Sequence, residues 1–505
     1  MTISLDGHSL TLDDLVAIAD AGAETTLAAA ARTRVEAARA VVDRTAAGDA
    51  PVYGINTGFG MFAEVKVPPE SLDALQLNLL RSHAAGVGEP LPVRAVRATM
   101  ALRANVLAKG YSGIRAGTLD ALVALLNRGV HPVVPSRGSV GASGDLAPLA
   151  HLALVLVGEG EAWVGPSRVP GAEALARAGL LPVSLGPKEG LALINGTQPS
   201  TAVLALAVDG AARLARAADL IAALTIDGLR GSRHPFEARI HDARPYDGQR
   251  ASAANLAALL DGSDINRSHA NCGRVQDAYS LRCAAQVHGA AREAIAFAAR
   301  IARVEVNAAT DNPMVFADTD EIVSGGNFHG APLAVAADTL CLGLSQLATI
   351  SERRSERLVN PALSGLPAFL TEHGGLQSGF MIAQVTAAAL TSELKTVGHP
   401  ASVDTIPTSG NKEDHVSMSM AAALKAERAL DLARHVLAVE LLCACQAIDL
   451  LAPLRTSVPL ARVHAAVRAR VPRLVEDRPP APDVIAITDL IASGSLESAC
   501  GVKVN

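Results

Sequence analysis

The chain has 505 residues, of which 50% are hydrophobic but only 3% aromatic. Ala, Leu and Val must therefore build the core, a composition suited to closely packed long helices. At about 150 residues per domain this length predicts roughly three structural units and excludes a peptide, a toxin or a small binding module. The net charge of -6, without basic stretches interleaved with aromatic residues, excludes a typical nucleic-acid-binding protein.

The charged fraction of 19% is low for a monomer with a fully exposed surface. A membrane protein is not indicated, because acidic residues such as Asp145, Glu159, Asp338, Glu440 and Asp449 interrupt the long apolar runs. The low charge instead predicts surface buried between subunits, and so an oligomer.

The six cysteines are too few and too irregularly spaced for a disulfide framework in a chain of this length. The first residues, MTISLDGHSLTLDD, carry acids where a signal peptide has basic residues, so we expect a reduced, cytoplasmic setting. His269, Cys272, Cys283 and His288 could be considered as metal ligands, but no Cys-x-x-Cys pair is present and we expect no metal.

Residues 1–200 are expected to form a loop-rich N-terminal domain. Thr11 and Asp14 fit a capping box that opens a first helix, which Gly22 can close. Further helical patterns lie near 26–47, 69–83, 92–108 and 117–128, separated by loops rich in Gly and Pro. Functional sites are often carried on loops of this kind.

Residues 201–455 change to long helical patterns, near 200–228, 274–307, 331–358, 376–397 and 414–451. Long helices that are apolar on more than one side predict an up-and-down bundle whose outer faces pack against other subunits. Residues 456–505 are expected to form a small helical tail. The predicted fold class is thus mainly α, with a long helical bundle in a homotetramer.

The most unusual stretch is GSVGASGD at 138–145, directly before an apolar helix. One interpretation is a helix start with Ser143 or Asp145 as N-cap. A nucleotide-phosphate loop is disfavoured, because the Gly-Lys-Ser/Thr ending and the dinucleotide glycine spacing are missing. A third interpretation is covalent: the amide of Gly144 attacks the carbonyl of Ala142, and loss of two waters leaves a methylidene-imidazolone ring (MIO) with an electrophilic alkene. Small flanking residues permit that cyclisation.

Eight motifs in order along the chain resemble the aromatic amino acid ammonia-lyase family. They are YGINTGFG at 53–60, RSHAAGVG at 81–88, GASGDLAPL at 141–149, LINGTQ at 193–198, VQDAYSLR at 275–282, TDNP at 310–313, GNFHG at 326–330 and NKEDHVSM at 411–418. The resemblance implies a mainly helical homotetramer with shared active sites that eliminates ammonia from an amino acid. It also implies MIO, formed from Ala142, Ser143 and Gly144, as the cofactor, with no nucleotide.

The resemblance further implies roles for individual residues. Tyr53 matches the catalytic base, a phenol whose pKa must be depressed by a positive charge or by hydrogen-bond donors. Arg282, with Gln276, matches the grip on the substrate carboxylate, for which a bidentate guanidinium is suited. Because Gln276 and Tyr279 precede Arg282 by six and three residues, one helical face is expected to present all three.

Two more positions are expected near the ring. Asn195 matches a residue that contacts the substrate amine or the ring oxygen, and Phe328 matches one that packs over the ring. Outside the resemblance, these residues would be interpreted as a turn asparagine and a core phenylalanine.

His83 and Glu413 bear on the choice of substrate. The resemblance implies that His83 occupies the family's selectivity position. Glu413 supplies a carboxylate that can accept an imidazole N–H but is costly to bury against a phenyl ring. The resemblance therefore implies elimination from L-histidine to give trans-urocanate. A tyrosine or phenylalanine lyase, a 2,3-aminomutase and an inactive scaffold descended from a lyase remain the alternatives.

Three departures from the family pattern affect the site and its surroundings. Lys412 stands where Gln is common and could pair with Asp414, Ala284-Ala285 replace Gln-Pro, and His288 replaces Met. We expect different packing behind Arg282.

Overall fold

The computed structural model describes residues 1–270 and 272–505, and within these ranges the protein is mainly helical. The α-helices are α1 Leu12–Asp20, α2 Ala29–Ala46, α3 Leu72–His83, α4 Val93–Ala108, α5 Ala116–Asn127, α6 Leu146–Leu156, α7 Gly171–Arg177, α8 Glu189–Ile194, α9 Gln198–Gly228, α10 Ala238–Asp242, α11 Asp247–Leu259, α12 Asp264–Ser268, α13 Tyr279–Arg282, α14 Ala284–Glu305, α15 Ala331–Val359, α16 Pro361–Ser364, α17 Met381–Val397, α18 Ser419–Leu450, α19 Val458–Arg468, α20 Ala481–Ala492 and α21 Ser495–Cys500.

The strands are short and pair in four small sheets. They are β1 Thr2–Leu5, β2 Glu24–Leu27, β3 Val87–Pro90, β4 Val130–Pro132, β5 Pro135–Arg137, β6 Glu161–Val164, β7 Ser167–Pro170, β8 Met314–Phe316 and β9 Glu321–Val323. Strands β1 and β2 are parallel, with Thr2 opposite Glu24, whereas β3–β5, β4–β6–β7 and β8–β9 are antiparallel. Some of the loops contain single-turn 3₁₀ helices, such as Gly60–Phe62 and Ser409–Asn411.

The chain forms two compact units, each assembled from three segments. The first contains residues 1–206, 299–337 and 400–424, and the second contains 207–298, 338–399 and 425–505. All the strands belong to the first unit, and within the described residues the second unit is helical. The division at 200 and 455 stays a prediction from the sequence pattern.

Most helices lie where the sequence pattern predicts them. The Thr11 hydroxyl accepts from the amide of Asp14, and the Asp14 carboxylate accepts from the amide of Thr11 in return, which confirms the capping box. One predicted helix, over 274–307, is wrong at its start. It divides into α13 and α14 at Cys283, so Gln276 lies in the loop before α13 and not on a helical face.

Buried charges hold the interior of the second unit together. Arg354 and Glu440 are both fully buried, and the guanidinium meets the carboxylate at two points, Nε–Oε1 at 2.5 Å and Nη2–Oε2 at 2.9 Å. The Thr225 hydroxyl donates to the same carboxylate at 2.7 Å. Every charge here has a partner of opposite sign, as burial in a low-dielectric interior requires.

His288 joins this pair to a second buried carboxylate. Its Nδ1 lies 2.7 Å from Asp219 Oδ1 and its Nε2 lies 3.3 Å from Arg354 Nη1. Burial lowers the pKa of His288, which fits a neutral imidazole that donates to Asp219 and accepts from Arg354. His288 therefore extends a buried polar network. Different packing behind Arg282 stays a prediction.

Helix α15 is the one described helix that is long and apolar enough to span a membrane by length and composition. Of its apolar window, 67% is buried inside the protein, as in the core helix of a globular unit.

Asp227 lies in the second unit, and its contribution to the stability of the fold depends on pH. It accepts hydrogen bonds from Ser263 and Thr456, yet burial outweighs them and raises its pKa to about 6. Because the folded pKa lies above the unfolded value of about 3.9, this contribution is complete below about pH 4 and is lost as pH rises through 6. The Asp227→Asn variant has no titrating carboxyl at this position, so its stability does not fall in this way. We expect the difference in free energy of unfolding between Asp227→Asn and the wild type to shift by about 1–3 kcal/mol in favour of the variant between pH 4 and pH 7.

Urea denaturation at fixed protein concentration across that pH range measures the difference. Asp318→Asn, which removes an exposed carboxylate, is the control. Parallel stability curves for wild type and Asp227→Asn would contradict the prediction.

Candidate active site

The loop between β5 and α6 bends sharply around Ala142, Ser143 and Gly144. Gly141 and Gly144 both have left-handed φ angles, +67° and +71°. A Cβ on Gly144 would lie 2.1 Å from the carbonyl oxygen of Gly196, and one on Gly141 would lie 2.3 Å from the hydroxyl of Ser417. Both positions thus require glycine, and the tripeptide is held in a tight turn.

Asp145 fixes the end of this loop. Its fully buried carboxylate accepts from Ser139 Oγ at 2.6 Å, from the amide of Ser200 at 2.8 Å and from Ser200 Oγ at 2.7 Å. Burial raises the pKa of Asp145, and these three donors oppose it. Asp145 lies at the N-cap position of α6, as one interpretation of the sequence has it, but its side chain accepts from no amide of that helix.

A second segment, around 416–419, holds the start of the loop. The amide of Met418 donates to the carbonyl of Val140 at 2.8 Å, and Ser417 Oγ donates to the carbonyl of Gly141 at 2.9 Å. Ala142 packs against Val416 and Met418 in a small apolar cluster. The loop is therefore anchored on both sides of the tripeptide.

Ser143 makes two specific polar contacts. Its hydroxyl donates to Glu413 Oε1 at 2.8 Å, and its carbonyl accepts from Asn195 Nδ2 at 3.0 Å. Thr408 Oγ1 donates to the other carboxylate oxygen of Glu413 at 2.5 Å. The side-chain oxygen of Asn195 is buried and has no hydrogen-bond partner among the described residues, so it can still accept from a ligand.

The charge of Glu413 affects the pKa values of His83 and Tyr53. Burial lowers the pKa of His83, while the carbonyl of Leu79, 2.9 Å from Nδ1, and the carboxylate of Glu413 act against that decrease. Burial also raises the pKa of Tyr53; a hydrogen bond with the Gly60 backbone lowers it, and the charge of Glu413 raises it. The structure thus groups His83, Tyr53 and Glu413, but the depressed phenol pKa expected for Tyr53 is not present in this chain.

The predicted carboxylate-binding residues lie in the second unit. Gln276 and Arg282 line an open cavity of about 1210 Å³, while Tyr279 is exposed and its ring lies 4.7 Å from the Arg282 guanidinium carbon. Arg282 Nε is buried and has no hydrogen-bond partner within residues 1–270 and 272–505. The guanidinium therefore has capacity for an anion.

Phe328 lies half-buried in the loop before α15, in the first unit. Its neighbour His329 stacks on His415, with ring centroids 5.7 Å apart, and His329 Nε2 lies 3.1 Å from the carbonyl oxygen of His415. This contact ties the loop that carries Phe328 to the segment that carries Glu413. Lys412 is exposed, and no ion pair joins it to Asp414 in the described chain.

Sequence reasoning missed the residues that support the site. Thr408, Ser139, Ser200 and Ser417 all bond to the loop or to Glu413. Ser and Thr are common and can form many local hydrogen bonds, so they give no signal in a single sequence. No group of three or more His, Cys, Asp or Glu side chains placed for a metal is found in residues 1–270 and 272–505.

A tightly bent Ala-Ser-Gly tripeptide whose serine hydroxyl is held on a carboxylate, in a mainly helical protein, is the arrangement expected of a carbon–nitrogen lyase. Residues 10–469 match the aromatic amino acid lyase family. The chain belongs to this family.

Relatives match the chain over nearly its whole length. It is 59% identical to the histidine ammonia-lyase of Anaeromyxobacter sp. (strain K), over 98% of this chain and 99% of that one. The crystal structure of histidine ammonia-lyase from Trypanosoma cruzi superposes with a TM-score of 0.92 at 47% identity, covering 99% and 95% of the two chains. Tyrosine aminomutase from Streptomyces globisporus gives a TM-score of 0.95 at 38% identity, covering both chains completely.

Gly144→Ala is expected to damage both the fold and the chemistry of the loop. The new methyl group meets the carbonyl of Gly196, and the left-handed φ adds strain of about 1–2 kcal/mol. We expect a lower melting temperature and a chain that keeps its full sequence mass, because the loop opens. Gly165→Ala is the matched control, since Gly165 has φ +59° but nothing within 4 Å of its Cβ position. Equal losses of stability in the two variants would refute the clash.

Proposed function

We propose that the protein eliminates ammonia from L-histidine to give trans-urocanate, the first step of histidine breakdown. The observation that carries this proposal is the hydrogen bond that the hydroxyl of Ser143, in the bent tripeptide, donates to the carboxylate of Glu413. The proposal is supported by the 59% identity to a histidine ammonia-lyase over 98% of the chain. The chemical task is difficult because the β-hydrogen is weakly acidic and ammonium is a poor leaving group.

The tripeptide fits the formation of MIO from Ala142, Ser143 and Gly144. Gly144 leaves its amide nitrogen unhindered by a Cβ, and Ala142 packs in a pocket suited to a small side chain. The ring, once formed, supplies an electrophilic alkene that takes up electron density from the amine or the aromatic ring of a substrate. Asn195 donates to the Ser143 carbonyl, the oxygen that cyclisation leaves as a carbonyl, and so increases the polarisation of that group.

Tyr53, His83 and Glu413 are assigned to the substrate side chain and its β-proton. Glu413 accepts an imidazole N–H and His83 orients the ring, while Tyr53 removes the β-proton as a phenolate. Because burial and Glu413 raise the pKa of Tyr53, a cationic group from the substrate or another subunit must lower it in the working enzyme. A charged imidazolium or ammonium beside Glu413 meets that requirement.

Arg282 and Gln276 are assigned to the substrate carboxylate, with Tyr279 as a catalytic residue beside them and Phe328 packing over the ring. Exposed apolar side chains on long helices of the second unit, such as Leu342 and Ile382, favour burial against other subunits. This burial supports our proposal of a homotetramer with active sites shared between subunits. We further propose that the protein is cytoplasmic.

The product spectrum tests the substrate assignment. The purified protein is mixed in turn with L-histidine, L-tyrosine and L-phenylalanine, and ultraviolet absorbance is followed. We expect a rise with histidine, because urocanate is a conjugated acrylate. A rise with tyrosine or phenylalanine but none with histidine would show that the substrate assignment is wrong.

A 2,3-aminomutase is the second candidate, favoured by the TM-score of 0.95 to a tyrosine aminomutase. It requires the same ring and base but returns ammonia to the β-carbon. Separation of the products decides, since a β-amino acid indicates the mutase. A chain with its full sequence mass and no turnover would indicate a scaffold protein.

A further inference from the structure

The hydroxyl that Ser143 must lose when the alkene forms is hydrogen-bonded to the carboxyl group of Glu413. Ser143 Oγ lies 2.8 Å from Glu413 Oε1, and Glu413 Oε2 accepts from Thr408 Oγ1 at 2.5 Å. The backbones of Thr408 and Glu413 also pair, with the Thr408 amide donating to the Glu413 carbonyl at 3.0 Å. The carboxyl group is thus fixed against the oxygen that must leave when the alkene forms.

We propose that Glu413 is the acid that completes formation of the ring, by protonating the departing hydroxyl of Ser143. The inference rests on the proposed function, since it assigns a maturation step of the same site. It gives Glu413 a task in the folded chain before any substrate is bound. In the structure the Glu413 carboxylate accepts from the Ser143 hydroxyl, and once solvent protonates that carboxylate the same contact lets it act as a general acid on Oγ.

The atoms balance without an oxidant or a co-reactant. The Gly144 nitrogen forms a bond to the Ala142 carbonyl carbon. The carbonyl oxygen takes the hydrogens of the Gly144 and Ser143 amide nitrogens and leaves as the first water, which produces a C=N bond between Ala142 and the Ser143 nitrogen. The Glu413 carboxylate takes a proton from solvent, the Ser143 Cα loses its hydrogen as a proton to solvent, and the Cβ–Oγ bond breaks as Glu413 passes its proton to Oγ. The second water departs, a Cα=Cβ bond remains, and Glu413 is a carboxylate again.

Two polar side chains near the Ser143 hydroxyl, those of Asp145 and Asn195, form hydrogen bonds to other atoms. The Asp145 carboxylate is occupied by Ser139 and Ser200, and Asn195 lies on the Ser143 carbonyl, where it makes the Cα hydrogen more acidic. Among the described residues, Glu413 is the group hydrogen-bonded to the Ser143 hydroxyl. The position of the carboxyl therefore assigns it to the leaving oxygen.

Intact mass of the full-length protein tests this step independently of activity. Glu413→Gln keeps the size and a hydrogen-bonding group but cannot act as a carboxylic acid. We expect the wild type to be lighter than its sequence by two waters, and Glu413→Gln by one water, with the second loss slowed at least about 100-fold. Glu413→Asp, which restores an acid, is expected to recover loss of the second water.

His83→Gln is the matched control, because the charge of Glu413 affects the pKa of His83 but His83 forms no hydrogen bond to Ser143. It should lose both waters at the wild-type rate, and circular dichroism should show native helix content for all variants. If Glu413→Gln loses both waters as fast as the wild type, Glu413 is not the acid, while the proposed function stands. A wild type with its full sequence mass overturns both this inference and the proposed function.

Discussion

Replacing Ser143 with alanine is expected to lower the rate of ammonia elimination from L-histidine by at least about 1000-fold while leaving the fold intact. Alanine has no Oγ, so the second water cannot leave and no alkene forms. The side chain contributes one hydrogen bond, to Glu413, so the cost in stability should be only about 1 kcal/mol. Absorbance at the urocanate band gives the rate, and intact mass should show loss of one water at most.

Ser167→Ala provides the matched control, because Ser167 is an exposed serine of the β6–β7 hairpin in the same unit. It should keep the wild-type rate and the loss of two waters. Turnover retained in Ser143→Ala would show that the tripeptide does not supply the electrophile. An unfolded Ser143→Ala chain would contradict the minor structural role given to the hydroxyl.

Replacing Arg354 with leucine is expected to produce the largest loss of stability, about 3–5 kcal/mol in the free energy of unfolding. The substitution leaves Glu440 charged and fully buried with only the Thr225 hydroxyl as a donor. It also removes the donor to His288 Nε2, which weakens the link to Asp219. Urea denaturation at one fixed protein concentration measures the effect, because oligomer stability depends on concentration.

Two further variants distinguish the cost in stability of an unpaired buried charge from the cost of lost packing. Arg354→Leu combined with Glu440→Leu should lose less than Arg354→Leu alone, because no unpaired charge remains. Arg177→Ala, which breaks the exposed pair with Glu173, should cost less than about 1 kcal/mol. If the double variant is less stable than Arg354→Leu, the loss comes from packing and not from an unpaired carboxylate.

The pKa of Tyr53 bears on the proposal that active sites are shared between subunits. A phenol that must work as a base has its pKa raised by burial and by Glu413. Arg282 and Gln276, the residues assigned to the substrate carboxylate, belong to a different unit of the chain from Tyr53. The missing positive charge is consistent with the shared active sites that we propose.

The helical nature of the chain could be predicted because it depends on local composition. Helices α4, α5, α9 and α15 begin and end within about two residues of their predicted bounds, where apolar periodicity and flanking Gly or Pro fix them. The break at Cys283 could not, because Ala278–Ala285 carries no helix-breaking residue. The sequence pattern therefore predicts Gln276 on a helical face, whereas it lies before the start of α13.

By itself the sequence determined the family and the chemistry available to it. Eight short motifs preserve the order of residue types, and local rules are enough to identify a tripeptide small enough to cyclise and a capping box at Thr11. The tertiary structure decided which side chains meet. Glu413 reaches Ser143 across 270 positions, and Asp145 turns away from its helix to bind Ser139 and Ser200. Contacts so distant along the chain depend on how the whole core packs, and a single sequence carries no local signal of them.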